Sequence, residues 1–253
     1  MIHANQLIAR LGQQDRHLLL AIGEDIRLSP GFVLFECGEE AASVYFPTEG
    51  AVVLTVPSAP TRGLGILLVG AEGMLGMQRV LGDSRSTMRA AAQTAGRAVR
   101  IDAPEFSRML ESSHTLRGVM LDYVGGVVNQ VSAAAACTRC HSVWQRLAGW
   151  LLMTRDREEV DTFHLTQDAL ALTLGVRRVG ITVAAQALQR LHLIDYRRGD
   201  ITVVDVAGLK AVAGHSYFAC VGASANARAS ARRVRGARRS AAITAAANVA
   251  SQS

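Results

Sequence analysis

Residues 137–141 read CTRCH, the Cys-x-x-Cys-His spacing of covalent haem attachment. On a helix, Cys137 and Cys140 share a face and His141 follows Cys137 by one turn, which gathers three soft donors. Haem attachment, a metal site and a thiol switch tuned by Arg139 are the chemistries open to them. Haem attachment requires export and an exposed loop, whereas the flanks SAAAA and HSVWQRLAGWLL read as helix. A metal site lacks an evident fourth ligand. Cysteine as a small hydrophobe filling a helix interface is therefore the expectation. Elsewhere no Ser/His/Asp, paired-carboxylate or metal-triad spacing appears, and the seven histidines are dispersed. Neither catalysis nor a bound metal is expected.

A second stretch carries more information: LTQDALALTLGVRRVGITVAAQALQRL at 165–191. Thr166 is placed to N-cap a helix with Asp168 in its first turn, where the helix dipole favours negative charge. With Gln167 as position one, Ala171 falls at five and Gly175 at nine, and apolar Leu170, Leu174, Val176, Ile181 and Ala184 take the core positions. Two helices crossing steeply through a short turn need a small residue at the contact, a glycine in the turn and a shared apolar core. The segment is a helix-turn-helix. LIDY and ITVV then flank the turn RRGD, giving a hairpin over 193–204 in the place of a wing.

In such a motif the second helix enters the major groove by its N-terminal end. That nominates Arg177, Arg178, Gly180 and Thr182, with Gln186 one turn further on. Arg178 is the choice for bidentate pairing with guanine. Thr166 and Gln167, and Arg197 and Arg198 at the wing tip, are assigned to phosphates, which position without specifying.

Other parts of the chain must hold this motif. Between 25 and 101 short apolar runs (FVLF, VYF, AVVLTV, LGILLV, RAVRI) alternate with turn signals, the texture of a β-sandwich, roll or barrel. Gly70, Gly73 and Gly76 sit between two of these strands without the Gly-Lys-Ser/Thr of a phosphate-binding P-loop. Leu7, Ile8, Leu11, Leu18, Leu19 and Ile22 suggest a helical lead-in. Leu116, Met120, Tyr123, Val127, Val131 and Ala134 step by threes and fours along one long helix. That stripe serves either as a dimer seam or as a face packed on its own β domain, and mid-stripe Gly125 and Gly126 would let a partner helix approach closely.

The net charge of +6 resides in the tail, where residues 214–253 hold six arginines and no acid. A high pI therefore says nothing about the folded part. Low-complexity Ala/Ser/Arg sequence of this kind cannot bury enough apolar surface to order itself, so disorder is expected there, with some helix around 226–240. No apolar run reaches the roughly 18–20 residues of a bilayer span. The opening MIHANQLIARLGQQDRH lacks a basic segment followed by an unbroken apolar core, so cytoplasmic residence, with reduced thiols, is the expectation.

A β-rich N-terminal part, a long helix and LTQDALALTLGVRRVGITVAAQALQRLHLIDYRRGDITVVD together resemble the Crp/Fnr family of bacterial transcription regulators. The resemblance is strong over 140–210, looser over 15–135, and fails in the tail. It implies an α+β chain with a double-stranded β-helix of the cyclic-nucleotide-binding type over 1–115 and a central dimerisation helix over 116–142. A winged helix-turn-helix would follow over 143–213, then the tail from 214. It further implies double-stranded DNA, a second copy of the chain and RNA polymerase as partners, and no membrane. Cyclic-nucleotide binders use a Gly-Glu-Leu-Gly loop and a later Arg-Ser/Thr; here Gly73-Met74-Leu75-Gly76 and Arg85-Ser86 stand in those places. Gly73, Gly76, Arg85 and Ser86 are thus the implied effector pocket, but Met74 replaces the ribose-binding glutamate and argues against a cyclic nucleotide. No cofactor is expected. An iron–sulfur cluster of the oxygen-sensing members is excluded, since residues 1–36 hold no cysteine. The alternative is a haem or thiol sensor whose helix-turn-helix serves protein contacts.

Overall fold

The computed structural model describes residues 5–59, 62–214 and Tyr217. Two helices, α1 (Gln6–Ala9) and α2 (Gln13–Ile22), lead into seven strands. These are β1 (Glu24–Leu28), β2 (Val33–Phe35), β3 (Ser43–Glu49), β4 (Val52–Ala59), β5 (Arg62–Val69), β6 (Arg89–Ala92) and β7 (Gly96–Asp102). They pair antiparallel into two sheets, one ordered β1-β7-β3 and the other β2-β6-β4-β5. This is the two-sheet β architecture that the alternating runs and turns predict.

Alternation along the strands sends side chains to two different cores, because successive residues point to opposite faces. Tyr45 of β3, Val52 and Leu54 of β4, and Leu67 and Val69 of β5 fill the space between the sheets. Val44 and Phe46 point the other way, into a core with Leu19, Phe106, Leu110, Leu116 and Met120. Phe106 and Leu110 lie on α3 (Ala103–Ser112), and Leu116 and Met120 on α4 (His114–Cys140). Strands covered on both faces read as unbroken apolar runs, which explains AVVLTV and LGILLV.

The stripe on α4 faces the chain's own β domain. Leu116 and Met120 are fully buried against it, Val127 joins the inter-sheet core, and the Tyr123 hydroxyl donates to the Met74 carbonyl at 3.0 Å. Of the two roles open to this stripe, the structure selects intramolecular packing. A different row, Gly118, Leu121, Gly125, Val128, Ser132 and Ala135, is exposed along the outside of the helix.

α4 stops at Cys140, and Ser142 starts α5 (Val143–Glu158), its amide donating to Gln145 Oε1 at 3.1 Å. Cys140 therefore lies exposed at an elbow, not in a helix interface, and the packing expectation is corrected there. The side chain of Cys137 lies outside the described residues. Among the described residues no three His, Cys, Asp or Glu side chains converge on one point. No helix among them is long and apolar enough to cross a membrane.

The C-terminal unit continues with β8 (Thr162–His164), α6 (Gln167–Leu174), α7 (Arg178–Arg190), β9 (Ile194–Arg197), β10 (Asp200–Val203) and α8 (Val206–Ala213). Its core extends past its own boundary. Ala51, Val53 and Leu68 of the β domain pack in one cluster with Leu147, Trp150 and Leu151 of α5. Polar links surround this joint: Trp150 Nε1 donates to Gln93 Oε1 at 2.8 Å, and Gln93 Nε2 donates to Thr154 Oγ1 at 2.9 Å. Arg157 pairs with Glu72 at 2.8 Å, and the Thr94 hydroxyl donates to the Glu158 carboxylate. Tyr217 is also buried, with its hydroxyl donating to Asp156 at 2.6 Å, so the expected disorder does not begin at 214. The rest of that expectation, including helix around 226–240, falls outside the described residues.

Burial raises the pKa of Glu158, against the lowering effect of the Thr94 hydrogen bond. A carboxyl whose pKa is higher folded than unfolded binds a proton more readily in the folded chain. Its contribution is most favourable below the unfolded pKa and is lost as pH rises through the folded pKa. Glu158→Gln keeps an acceptor for Thr94 and removes the charge. The variant is expected to melt higher than the parent at neutral pH, with the advantage vanishing on acidification, as followed by calorimetry across pH.

Candidate nucleic-acid interface

The helix-turn-helix forms where its spacing places it. Thr166 caps α6, its hydroxyl accepting the Ala169 amide at 3.2 Å. Gly175 ends α6 with φ +63°, the left-handed region that glycine enters without strain. A Cβ at Gly175 would also lie 2.9 Å from Leu64 Cδ1 of β5, so the turn rests directly on the β domain. Arg146 of α5 donates to the Leu174 carbonyl at 2.5 Å, placing a cation at the C-terminal end of α6.

Ile181, Ala184, Ala185 and Leu188 form the buried stripe of α7 and pack in the same core as α5. Arg177, Arg178, Val179, Val183, Gln186 and Arg190 are exposed on the opposite side. The wing is a three-stranded sheet ordered β8-β10-β9, one strand more than the sequence analysis predicts. Three residues, TFH, give too short an alternation to register in a sequence. Arg198 (φ +52°) and Gly199 (φ +95°) make the two-residue turn with both φ positive, which suits the twist of the hairpin. His164 Nδ1 meets Asp200 Oδ1 at 2.8 Å, and the Tyr196 hydroxyl donates to the Leu165 carbonyl at 2.7 Å. These bonds fix the wing to the approach of α6. Burial pushes the Tyr196 hydroxyl up to about 12, so it stays neutral.

A groove of about 420 Å³ runs between the first turn of α6, the flank of α7 that carries Arg178, Thr182, Gln186 and Gln189, and the wing. Six of the nine DNA-binding residues picked from the sequence line it: Thr166, Gln167, Arg178, Thr182, Gln186 and Arg198. Arg177, Gly180 and Arg197 lie outside it. Arg177 is the exposed N-cap residue of α7, and Arg197 Nε rests on Asp195 Oδ1 at 3.2 Å. Thr182 differs from its expected role. Half-buried, its hydroxyl donates to Gln167 Oε1 at 2.8 Å and also lies 3.2 Å from the Arg178 carbonyl, so it clamps the two helices together. Arg178 approaches Asp168 at 3.6 Å with both side chains well exposed, a contact of little worth in water that leaves the guanidinium free to move. Val179 and Val183 escaped the sequence analysis, although removing the Ile181/Ala184/Leu188 stripe from a helical wheel leaves them outermost.

The implied effector pocket separates into two places. A second cavity, about 400 Å³, lies between α4 and the segment 77–88, with Arg85, Ser86, Met88, Val124 and Val128 in its wall. Gly73 and Gly76 do not line it. Gly73 is covered by the Tyr123 ring, with a Cβ there falling 2.5 Å from its hydroxyl, and Met74 is fully buried. Glu72 is engaged with Arg157, and Asp83, the one acid in the wall, accepts the Arg85 amide at 3.0 Å. Ser86 Oγ donates to the Met88 carbonyl at 2.7 Å, and Arg85 donates to the Gly38 carbonyl at 3.0 Å. Arg85 and Ser86 thus make bonds within the chain, apart from Gly73 and Met74 of the loop.

A two-sheet β domain joined by a long helix to a winged helix-turn-helix is the architecture of a DNA-binding transcription regulator. Residues 25–113 match the cyclic nucleotide-binding domain model, and residues 145–212 match the Crp-like helix-turn-helix domain model. With both models matched in this order across most of the described chain, the protein belongs to the Crp/Fnr family of transcription regulators. Its fold is that of a CRP-family transcriptional regulator from Thermus thermophilus, with a TM-score of 0.64 at 19% identity, covering 75% of this chain and 96% of that one. FixK2 from Bradyrhizobium japonicum gives 0.65 at 12% identity, over 76% of this chain and 98% of that one. The c-di-GMP responsive global regulator CLP of Xanthomonas campestris gives 0.63 at 14% identity, over 76% and 99%. No curated protein sequence matches the chain.

Gly175→Ala combines a positive φ with the close Leu64 contact. A loss of about 1–3 kcal/mol is expected in urea unfolding, with the β domain sharing the transition because the turn bears on β5.

Proposed function

We propose that the chain works as a homodimer that reads a palindromic DNA sequence and is controlled by a small molecule held against α4. One observation carries the proposal. Arg178, Gln186 and Arg198, which suit base edges and phosphates, line a single groove open to solvent between the recognition helix and the wing. Arg177 adds a further cation at the start of α7. The family to which the chain belongs binds DNA, which supports double-stranded DNA as the partner.

The exposed row on α4 supports the homodimer. Gly118, Leu121, Gly125, Val128, Ser132 and Ala135 alternate by threes and fours, the period of a two-helix seam. A Cβ at Gly118 or Gly125 would meet nothing within 4 Å, so a partner helix has room to approach at both positions. Val128 and Ser132 also form part of the wall of the 400 Å³ cavity, which supports an effector site next to the seam. A ligand that alters the packing of α4 would alter the separation of the two recognition helices. Half-sites about one helical turn apart are matched only at the correct separation.

Seven apolar residues, four valines among them, share the cavity wall with Gln78, Asp83, Arg85, Ser86, Thr87 and Ser132, which favours an effector with a large apolar part. Action in the cytoplasm, contact with RNA polymerase and the absence of any catalytic step are part of this reading and rest on family membership.

Selection from a random DNA pool with full-length protein tests the reading. A palindromic consensus is expected, and unselective, steeply salt-dependent binding would overturn it. Arg178→Ala is expected to relax one base position at a cost of about 1–3 kcal/mol in the selected site. Val128→Glu is expected to give a monomer in sedimentation and to lose most affinity for the full palindrome, although it leaves the recognition helix and wing untouched.

A further inference from the structure

α7 carries two side chains that its packing does not use. Val179 is 71% exposed and Val183 57%, one turn apart on the outward side, while Ile181, Ala184, Ala185 and Leu188 face the core. A β-branched residue on a bare helix surface lowers helix propensity and gains nothing from water. Two such residues at consecutive turns of a recognition helix mark a local choice that folding does not explain.

Their surroundings limit what can cover them. Arg177 and Arg178 precede them and Gln186 follows on the same side, while the groove towards Arg198 lies beside them along Arg178, Thr182 and Gln186. Two valines flanked by two arginines and a glutamine are a poor match for an apolar protein surface, which offers a contiguous patch of several hundred Å². They are a good match for the major groove, whose edge is polar except for the C5-methyl of thymine. Valines four residues apart are separated by about 6 Å along the helix, against about 3.4 Å per base step of B-DNA. They therefore meet base pairs one or two steps apart.

We infer that Val179 and Val183 are specificity-determining residues that each bury a thymine methyl, so that every half-site carries thymines one or two steps apart beside the base read by Arg178. The inference rests on the DNA-reading proposal above and adds the identity of the bases. Neither valine hydrogen-bonds, so the discrimination is apolar and directed at the methyl alone.

The test replaces single thymines of the selected site with deoxyuridine, which differs only by that methyl. Full-length protein is expected to lose about fourfold in affinity at each of two positions, the value of one buried carbon. Val179→Ala is expected to abolish the deoxyuridine effect at one position and leave it at the other, and Val183→Ala the reverse. Both sites are exposed and alanine is the better helix former, so both variants keep the fold. If wild type binds the uridine sites as tightly as the thymine sites, the inference fails while the DNA reading stands. It also fails if the uridine effect survives in both alanine variants. If no consensus can be selected at all, the proposed function fails and takes this inference with it.

Discussion

The structure turns on one shared core: Ala51, Val53 and Leu68 of the β domain packed with Leu147, Trp150 and Leu151 of α5. α5 has the recognition helix on one side and the sheet on the other, and α6 bears directly on β5, so α7 is positioned relative to β4 and β5 through both helices. Apolar packing is non-directional and would not by itself fix how the two domains face each other. The polar links around it have geometry. The Gln93 side chain donates to Thr154 and accepts from Trp150, and Glu72 reaches Arg157, whose side chain is only 9% exposed. Polar groups so far out of water are costly unless paired, which makes this one docking arrangement favourable and displaced ones unfavourable.

The same joint explains the loop that departs from the cyclic-nucleotide pattern. In Gly70–Gly76 the acid is two residues early, and from that position it meets Arg157 of the other domain. The residue that takes the glutamate's place, Met74, is fully buried in the α3/α4 core, and Tyr123 closes over Gly73. Through Gly70 and Glu72 this segment forms part of the wall that meets Arg157 of α5. A ligand entering it would have to displace Tyr123 and its hydrogen bond to the Met74 carbonyl. The cavity that remains beside Arg85 and Ser86 is bounded instead by α4.

Local chemistry was legible in the sequence, and partner choice was not. Thr166, Gly175 and the Leu170/Ile181 pattern are dictated by capping, a positive φ and helix crossing, all decided within about twenty residues, and the structure reproduces them. The Arg198-Gly199 turn was visible for the same reason. The stripe on α4 was legible as apolar but not as inward, because period alone does not say which surface covers a helix face. Cys140 looked like packing material because its neighbours read as continuous helix, whereas Ser142 and Gln145 restart the chain there and leave the thiol in solvent. Tyr217 was lost to the composition of the tail around it, although a lone aromatic ahead of an Ala/Ser/Arg stretch can close a core, as it does against Asp156. Thr182 looked like a reader of bases, and only the crossing of two helices reveals that Gln167 already occupies its hydroxyl.

Among the exposed apolar residues that no core uses, the α4 row and the valines of α7 answer to one geometry. Neither benefits an isolated chain: Leu121 and Val128 are 44% and 59% exposed, and the glycines between them weaken the helix. A second copy on the seam would bury the first row and set two α7 helices at a fixed separation, which is the condition for the second row to meet bases in two successive turns of DNA. The arginines around α7 supply attraction that any duplex satisfies, since phosphates carry no sequence. Discrimination has to come from contacts that are lost when a base changes, and a buried methyl is such a contact because its removal leaves an apolar surface facing water or a void.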